Sequence, residues 1–464
     1  MRAGVRIADR PDTGFSLVDR MRYYHVPGVS LAVIDDFRVV YAAGYGVKEF
    51  GSAQPVDTTT LFLAGSISKP VFATGALSLV EQGKLSLDED VNRALVSWHL
   101  PESRFTEREK VTLRRLLTHS AGLTVWGFPG YEMTKSVPTI PQLLDGTPPA
   151  NTAAVRNDTI PGARWLYSGG GITIAQLVTT DVTGEPFPAL MRRLVLDRAG
   201  MAHSTYENPL PESRQREAAS GHERIDTPVP GRFHVYPEMA AAGLWTTAPD
   251  LARWAIALSK SYRGDANGLL SPAMARQMIS KQMPQQPPYG TGHWGLGVQV
   301  GGDGDSLTFS HGGRDEGFVA NLVMWPNRGR GLVVLTNGVS GALLAEISRA
   351  FAEEYGMPSS ARVVRRVASM DRTTLAPYAG RYAAAAGRET IVFEVTVDAS
   401  GGGLALFNPS AQRTLRLLPE GGDTFFDADN GIQWRFERPA GNPNAPPTAL
   451  TTGQGPGRRV AVRR

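Results

Sequence analysis

Hydrophobic positions divide the chain into an early strand-rich stretch, a long helical stretch and a later return of strands. Near the N-terminus, two β-rich runs at 29–34 and 38–45 flank an acidic turn, a pattern that predicts a β-hairpin. The apolar run at 61–63 then leads into a helix that is expected to end near Gly83, a residue suited to a C-terminal cap. The sheet is therefore predicted to begin within the first 70 residues.

Helical periodicity dominates from there to about residue 260. Apolar stripes at helical spacing end at Gly184 and Gly200, and residues 247–250 carry a cap, a first-turn proline and an acid, which is a helix-start pattern. Prolines and glycines interrupt the segment 124–161. A segment of that length is more typical of a partly ordered binding loop than of a simple connection.

Strand-like runs return in the last third of the chain, at 294–300, 307–310, 319–324 and 331–335. A helix with apolar residues from Leu343 to Tyr355 follows them. Beyond it, short β-rich runs between 390 and 437 are separated by turns and predict a small antiparallel sheet or barrel. The expected fold class is α/β, an antiparallel sheet flanked by helices plus a helical subdomain, followed by a small all-β domain.

The patterns also predict where the chain divides. Five parts are expected: a sheet subdomain at 15–68 and 285–357, an inserted helical subdomain at 69–284, a linker at 358–374, a small antiparallel β-domain at 375–438 and an irregular basic tail at 439–464.

Composition narrows the function classes. The chain has 464 residues and a formal charge of +4, but four arginines lie in its last seven residues, so the body is formally neutral and no nucleic-acid partner is expected. With no cysteine, disulfides and a cysteine nucleophile are excluded. No apolar run reaches the ~18 residues of a membrane span. The N-terminus lacks the apolar core of a signal peptide, so the chain is expected to be cytoplasmic as written, or periplasmic or secreted if a leader has been removed.

The first candidate for chemistry is the Ser66-x-x-Lys69 sequence. Pro70 is tolerated only in the first turn of a helix, so the helix is expected to begin near Ser66. Residues three apart share a helix face, which brings the Lys69 ammonium to the Ser66 hydroxyl. Free N–H groups at a helix start also favour a developing oxyanion. Taken alone, the same residues are more often an N-cap and a solvated charge.

Two further motifs stand beside predicted elements. Tyr167-Ser168-Gly169 immediately precedes a predicted helix, and His311-Gly312-Gly313 follows a predicted strand. Each has an ordinary structural interpretation, a core tyrosine in one case and a hydrogen-bonding histidine in the other.

In combination and in this order, the motifs resemble those of the penicillin-recognising serine hydrolases. That group includes class C β-lactamases, D,D-carboxypeptidases, family VIII carboxylesterases and D-aminopeptidases. The resemblance spans about residues 15 to 356 and extends to the stretches 113–123 and 242–247. It implies a β-lactamase/transpeptidase-like fold, with the last domain similar to the small β-domains appended to many such hydrolases.

The resemblance also implies roles for individual residues. Ser66 would be the nucleophile, Lys69 its hydrogen-bonded partner, and Tyr167 a phenolic base that Lys69 helps toward the phenolate. The N–H groups of Ser66 and Arg314 would form the oxyanion hole. It implies no metal and no cofactor. The chain contains no Gly-x-Ser-x-Gly, no His-Glu-x-x-His and no phosphate-binding glycine loop.

Two departures from the family pattern bear on the substrate. His311-Gly312-Gly313 stands where lactam-directed members usually have Lys-Thr-Gly, and a neutral histidine offers hydrogen bonds rather than a fixed charge. Gly169 stands where asparagine is frequent. His311, Gly312, Gly313 and Gly169 are therefore the expected substrate-binding positions, with Trp126 and Tyr131 as candidate pocket walls; His119 is expected to be structural.

The predicted function is a serine hydrolase acting on small-molecule esters or amides through a Ser66 acyl-enzyme. One alternative is a β-lactamase or a D,D- or D-amino-acid peptidase. Another is a protein that binds cell-wall fragments or β-lactams without turnover. The sequence leaves the oligomeric state open.

Overall fold

The computed structural model describes residues 1–224, 226–266, 268–286, 292–358, 362–386, 389–409, 413–442, 445–453 and 459–464. The chain forms two compact units. One contains Val18–Leu344, and the other combines Met1–Leu17 with Ala345–Arg464.

An eight-stranded antiparallel sheet forms the larger unit's frame. Its strands, in spatial order, are Met283–Pro284, His293–Trp294, Gln299–Gly301, Thr308–Asp315, Phe318–Trp325, Arg330–Thr336, Gly28–Asp35 and Arg38–Gly46. The N-terminal hairpin thus joins the late strands through Leu332, which pairs with Val33. The predicted interruption of the sheet by a helical insertion is confirmed.

One predicted strand is wrong. Residues 294–300 do not form a single run but two short antiparallel strands, His293–Trp294 and Gln299–Gly301, joined by a tight turn. Gly297 adopts φ +84° in that turn, a left-handed conformation that glycine reaches without a steric penalty. The apolar pattern was strand-like, but the glycines allow the chain to reverse within it.

The helices lie mainly between the two halves of this sheet in sequence. They are Leu17–Tyr23, Ser68–Glu81, Leu113–Leu117, Ile140–Asp145, Gly169–Thr183, Phe187–Met191, Asp197–Ala199, Glu212–Gln215, Met239–Ala242, Ala248–Arg263, Pro272–Met278, Gly341–Glu354 and Arg372–Leu375. Single turns of other helix types occur at Gly65–Ile67, Val91–Arg93, Arg192–Leu196, Gly304–Ser306 and Ala376–Tyr378. Short strand pairs join Phe62–Leu63 to Trp245–Thr246, Tyr131–Glu132 to His234–Val235, and His222–Arg224 to Thr227–Pro228.

The helix Ser68–Glu81 runs through the core of the larger unit. Every residue from Ser68 to Leu79 is buried, as is expected of a helix that is apolar on all sides. The helix Ala248–Arg263 contacts it through the Trp254 indole, which donates a hydrogen bond of 3.1 Å to the Thr74 hydroxyl. Residues at the start of Ser68–Glu81 are therefore held by a rigid, desolvated scaffold.

The smaller unit contains a closed eight-stranded barrel. Its strands are Gly380–Ala386, Glu389–Val397, Leu404–Asn408, Arg413–Gly421, Thr424–Asp427, Gln433–Glu437, Ala449–Thr452 and Arg459–Arg463. The rings of Tyr378, Phe425 and Phe436 pack edge to face in its core, with centroids 5.0–5.3 Å apart. The predicted all-β C-terminal domain is confirmed.

Two expectations about this unit differ from the structure. The stretch 439–464 was expected to be an irregular tail, but its described part supplies the last two strands, which close the barrel. The stretch 358–374 was expected to be a linker, yet Val363–Arg365 pairs in parallel with Val5–Ile7 and Arg372–Leu375 is helical. Partners distant in sequence stabilise these segments, which are too short and polar to show a periodicity of their own.

None of the described helices combines the length and the hydropathy of a membrane-spanning segment.

Replacing Phe425 by alanine should destabilise the barrel by about 3–5 kcal/mol, because the ring is fully buried among aromatic neighbours. Phe407 is a matched control, since its side chain is 36% exposed in the same barrel and Phe407→Ala should cost far less. Hydrogen–deuterium exchange of barrel peptides measures both. Equal protection in the two variants would contradict this packing.

Candidate active site

Ser66 lies in a single 3-10 turn, Gly65–Ile67, that runs directly into the helix Ser68–Glu81. Gly65 has φ +53°, and a Cβ there would lie 2.4 Å from the Arg314 backbone nitrogen. Only glycine allows this approach, which sets the Ser66 segment against the strand Thr308–Asp315. Ser66 itself is half-buried.

Lys69 lies one turn further along and points back to Ser66. Its Nζ donates hydrogen bonds to Ser66 Oγ at 2.8 Å and to the Ala241 carbonyl at 2.7 Å. The side chain is only 2% exposed. Burial lowers the pKa of Lys69 to about 7, an effect that the charge of Asp315 partly opposes. A large share of the side chain is thus a neutral amine near pH 7.

Tyr167 reaches the same place from a second helix start. Ser168 caps the helix Gly169–Thr183 by accepting the Gly171 N–H at 2.9 Å, which fixes the residue before it. Lys69 Nζ lies 5.0 Å from the centroid of the Tyr167 ring.

Electrostatics determine the resting state of Tyr167. Burial raises the pKa of the Tyr167 phenol above its usual value, although interaction with the Ser66 hydroxyl lowers it in part. The sequence predicts that Lys69 helps this group toward the phenolate. Desolvation is the largest effect on the phenol, which is therefore neutral before reaction.

The third motif lies on the strand Thr308–Asp315, where alternate residues face the interior. His311 is buried, and its Nδ1 donates a hydrogen bond to the Gly312 carbonyl at 2.5 Å. Burial, followed by the charge of Lys69, lowers the pKa of His311 to about 3. The imidazole is therefore neutral at physiological pH.

The two glycines of this motif differ in their surroundings. A Cβ at Gly313 would lie 1.9 Å from the Ala64 carbonyl oxygen, whereas one at Gly312 would meet nothing closer than 3.8 Å. Gly313 thus allows the strand to pack on the nucleophile segment, and Gly312 is exposed and open. The Arg314 side chain is 68% exposed, with Nη2 3.5 Å from a Glu223 carboxylate oxygen.

His119, expected to be structural, is also part of the site's wall. Its ring packs on Tyr167 with centroids 4.1 Å apart, and its Nδ1 accepts the Ser168 N–H at 3.2 Å. Trp165 and Trp294 enclose the same rings. Sequence reasoning placed His119 in an apolar helix end, and no local pattern pointed to its contact with a tyrosine 48 positions away.

Two buried acids were also missed. Asp315 and Glu238 are both buried. Burial raises the pKa of Glu238 to about 8. It also raises the pKa of Asp315 well above its usual range, although the charge of Lys69 and the Gly65 N–H lower it in part. Nothing in the sequence around either residue suggests a buried carboxyl.

The two candidate pocket-wall residues, Trp126 and Tyr131, lie in different surroundings. Trp126 is 67% exposed, and its ring centroid lies 5.3 Å from that of Tyr167. Tyr131 is buried, and its hydroxyl accepts the Asn151 N–H at 3.2 Å. Among the described contacts, none joins Tyr131 to Ser66, Lys69 or Tyr167. Gly169 lies at the start of the helix that follows Tyr167.

No cluster of three or more histidine, aspartate or glutamate side chains within the described ranges has the geometry to hold a metal ion. The groups that come together at this site are the Ser66 hydroxyl, the Lys69 amine, which is readily neutral, and the protonated Tyr167 phenol. Such a set can deprotonate the hydroxyl, make it attack a carbonyl, and supply a proton to the group that leaves.

Comparisons with known proteins are consistent with this chemistry. The profile of the family described as "Beta-lactamase" matches residues 16–355. A protein named "Beta-lactamase" from Providencia stuartii is 30% identical over 236 residues, which are 50% of this chain and 56% of that protein. "Esterase EstB" from Burkholderia gladioli is 27% identical over 53% of this chain and 69% of its own length.

The fold is similar to that of a solved structure along almost the whole chain. The octameric penicillin-binding protein homologue from Pyrococcus abyssi has a TM-score of 0.64 and 22% identity, covering 96% of this chain and 98% of its own. In contrast, the match to the Providencia protein spans little more than half of that relative.

The reactivity of Ser66 should depend on pH through Lys69. The neutral amine is the form that can accept the serine proton, so the rate of fluorophosphonate labelling should fall about tenfold per pH unit below about 7. Asp315→Asn removes a carboxyl whose ionised form raises the Lys69 pKa, so it should move the pH dependence of labelling to lower pH. Glu238→Gln is the matched control and should leave the pH dependence of labelling unchanged. Equal shifts in both variants would contradict the assignment.

The two neighbouring glycines provide a second test. Gly313→Ala should destabilise the larger unit by about 1–3 kcal/mol and slow labelling of Ser66, because its methyl group overlaps the Ala64 carbonyl. Gly312→Ala has room and should keep the wild-type melting temperature. Differential scanning calorimetry compares the two, and a tolerated Gly313→Ala would show that the strand does not pack so closely.

Proposed function

The chain belongs to the beta-lactamase family, and from that premise we propose that it is a serine hydrolase acting on small esters or amides through an acyl-enzyme on Ser66. The observation that carries the proposal is the 2.8 Å hydrogen bond between Lys69 Nζ and Ser66 Oγ in a water-poor setting. An adjacent base is what a serine hydroxyl needs to become nucleophilic near neutral pH.

Acylation begins with the neutral Lys69 amine. It accepts the Ser66 proton as Oγ attacks the substrate carbonyl, and the N–H groups of Ser66 and Arg314 stabilise the oxyanion. As the tetrahedral intermediate collapses, the Tyr167 phenol gives its proton to the departing alcohol or amine. The acyl-enzyme then holds a Lys69 ammonium near a Tyr167 phenolate, and Lys69 Nζ lies 5.0 Å from that ring.

Deacylation reverses both proton transfers. Water attacks the acyl carbonyl and gives a proton to the Tyr167 phenolate, while the Lys69 ammonium returns a proton to Ser66 Oγ as it leaves. The product is a carboxylic acid, and all three side chains regain their starting states. The phenolate occurs only when a cation is beside it, which reconciles a raised phenol pKa with a role in proton transfer.

Charges around the site favour esters or amides without a carboxylate close to the scissile bond. The neutral His311 offers no fixed positive charge, and the Arg314 guanidinium is exposed beside Glu223. An exposed cation with a nearby carboxylate contributes little to anion binding, since solvent and its partner screen it. We therefore expect weak β-lactam hydrolysis, with peptidase activity on D-amino-acid amides as the alternative.

Ser66→Ala should lower ester turnover by at least about 10³-fold, because the serine is the proposed acylation site. Initial rates on p-nitrophenyl butyrate, a chromogenic cephalosporin and a D-alanyl anilide should rank the ester first, and mass spectrometry should find the trapped acyl group on the Ser66 peptide. Full activity in Ser66→Ala would refute the site. A stable β-lactam adduct with no ester turnover would instead indicate a binding protein.

A further inference from the structure

The loop that carries Trp126 is fastened to the residues that follow Tyr167. Gly169 N–H donates to the Trp126 carbonyl at 3.1 Å, and Gly170 N–H donates to the Val125 carbonyl at 3.1 Å. The Ser168 hydroxyl donates to the Thr124 carbonyl at 2.8 Å. Three consecutive carbonyls of the loop are thus bonded to three consecutive residues after the phenol, so the loop and Tyr167 keep a fixed relation.

The loop turns at Val125 in a way that exposes the next side chain. Val125 has φ +63°, a conformation that is unfavourable for a β-branched residue and that often marks functional sites. Its own side chain is partly buried against the core. Trp126 is left 67% exposed, although an indole gains more than most side chains from burial.

The same loop accounts for glycine at position 169. A Cβ there would lie 3.0 Å from Phe128 Cε2 and 3.2 Å from the Trp126 carbonyl oxygen. The space that a longer side chain at this position would need is occupied by the aromatic loop. Where many family members have an asparagine side chain, this chain therefore has the aromatic loop as the wall of the site.

We propose that Trp126 is a specificity-determining residue, whose indole packs against an uncharged aromatic group of the substrate beside Tyr167. The inference rests on the proposed hydrolase function. The centroid separation of 5.3 Å between Trp126 and Tyr167 shows that aromatic contacts form here, and a substrate ring on the exposed indole would add one more. The preferred substrates would be esters or amides with an aryl group near the scissile bond.

Three esters test whether Trp126 recognises an aryl group. Their hydrolysis is followed in a pH-stat, so the signal does not depend on tryptophan fluorescence or absorbance. Trifluoroethyl butyrate has no aryl group, trifluoroethyl phenylacetate has one on the acyl side, and phenyl butyrate has one on the leaving side. Trp126→Ala should lower kcat/KM for one of the aryl esters by about tenfold, mainly through KM, as expected for loss of one aromatic contact. The ester that is affected identifies the side on which the ring binds.

Controls separate recognition from folding and from proton transfer. Trp126→Phe should retain most of the aryl preference, and Phe50→Ala, which removes an exposed ring outside the site, should change none of the rates. An equal loss on all three esters, or no loss on any, would overturn the proposal. So would a preference for choline esters that disappears in Trp126→Ala, since the indole would then recognise a cation.

A binding measurement distinguishes failure of this inference from failure of the proposed function. Phenylacetamide titrated into Ser66→Ala and followed by NMR should bind about tenfold more tightly than it binds Ser66→Ala/Trp126→Ala, while acetamide should show no such difference. This comparison needs no turnover. If the wild-type protein hydrolyses none of the esters, the hydrolase proposal fails, and equal phenylacetamide affinities would still separately refute the role of Trp126.

Discussion

Burial of one ammonium group is the constraint on which the account of this protein depends. Lys69 lies in a helix that is enclosed on all sides, so its charge must be stabilised by the Ala241 carbonyl, the Ser66 hydroxyl and the more distant Asp315. These partners do not fully replace water, and the pKa falls to about 7. In the proposed mechanism, the same desolvation makes the amine a base and keeps the Tyr167 phenol protonated until it is needed.

Close backbone packing holds this arrangement in place. Gly65 and Gly313 let the nucleophile segment and the strand Thr308–Asp315 approach each other at distances that no other residue permits. The capped helix Gly169–Thr183 places Tyr167 and fastens the Trp126 loop with the same short set of bonds. Rigid elements therefore hold the proposed reacting groups, while Trp126 lies on an exposed loop beside them.

Sequence patterns predicted much of this fold, because hydrophobic periodicity reports which face of each element is buried. They predicted the hairpin, the helical insertion, the return of the sheet and a C-terminal β-domain. They failed for residues 294–300 and for the last barrel strands, where a glycine turn or a distant pairing partner decides the structure. The Ser66–Lys69 contact could be foreseen from helix geometry, whereas the buried carboxyls of Asp315 and Glu238 could not, since burial depends on tertiary packing.

The most direct measurement is an NMR pH titration of Lys69 in the full-length protein with an unmodified Ser66. The ¹³Cε and ¹⁵Nζ resonances of Lys69 are followed, and the spectrum of Lys69→Met assigns them. If burial governs this group, the Lys69 ammonium should lose its proton with a pKa of about 7, well below the ordinary value for a lysine side chain. A Lys69 pKa close to the ordinary lysine value would contradict the account, because the amine would then be unable to take the serine proton at neutral pH.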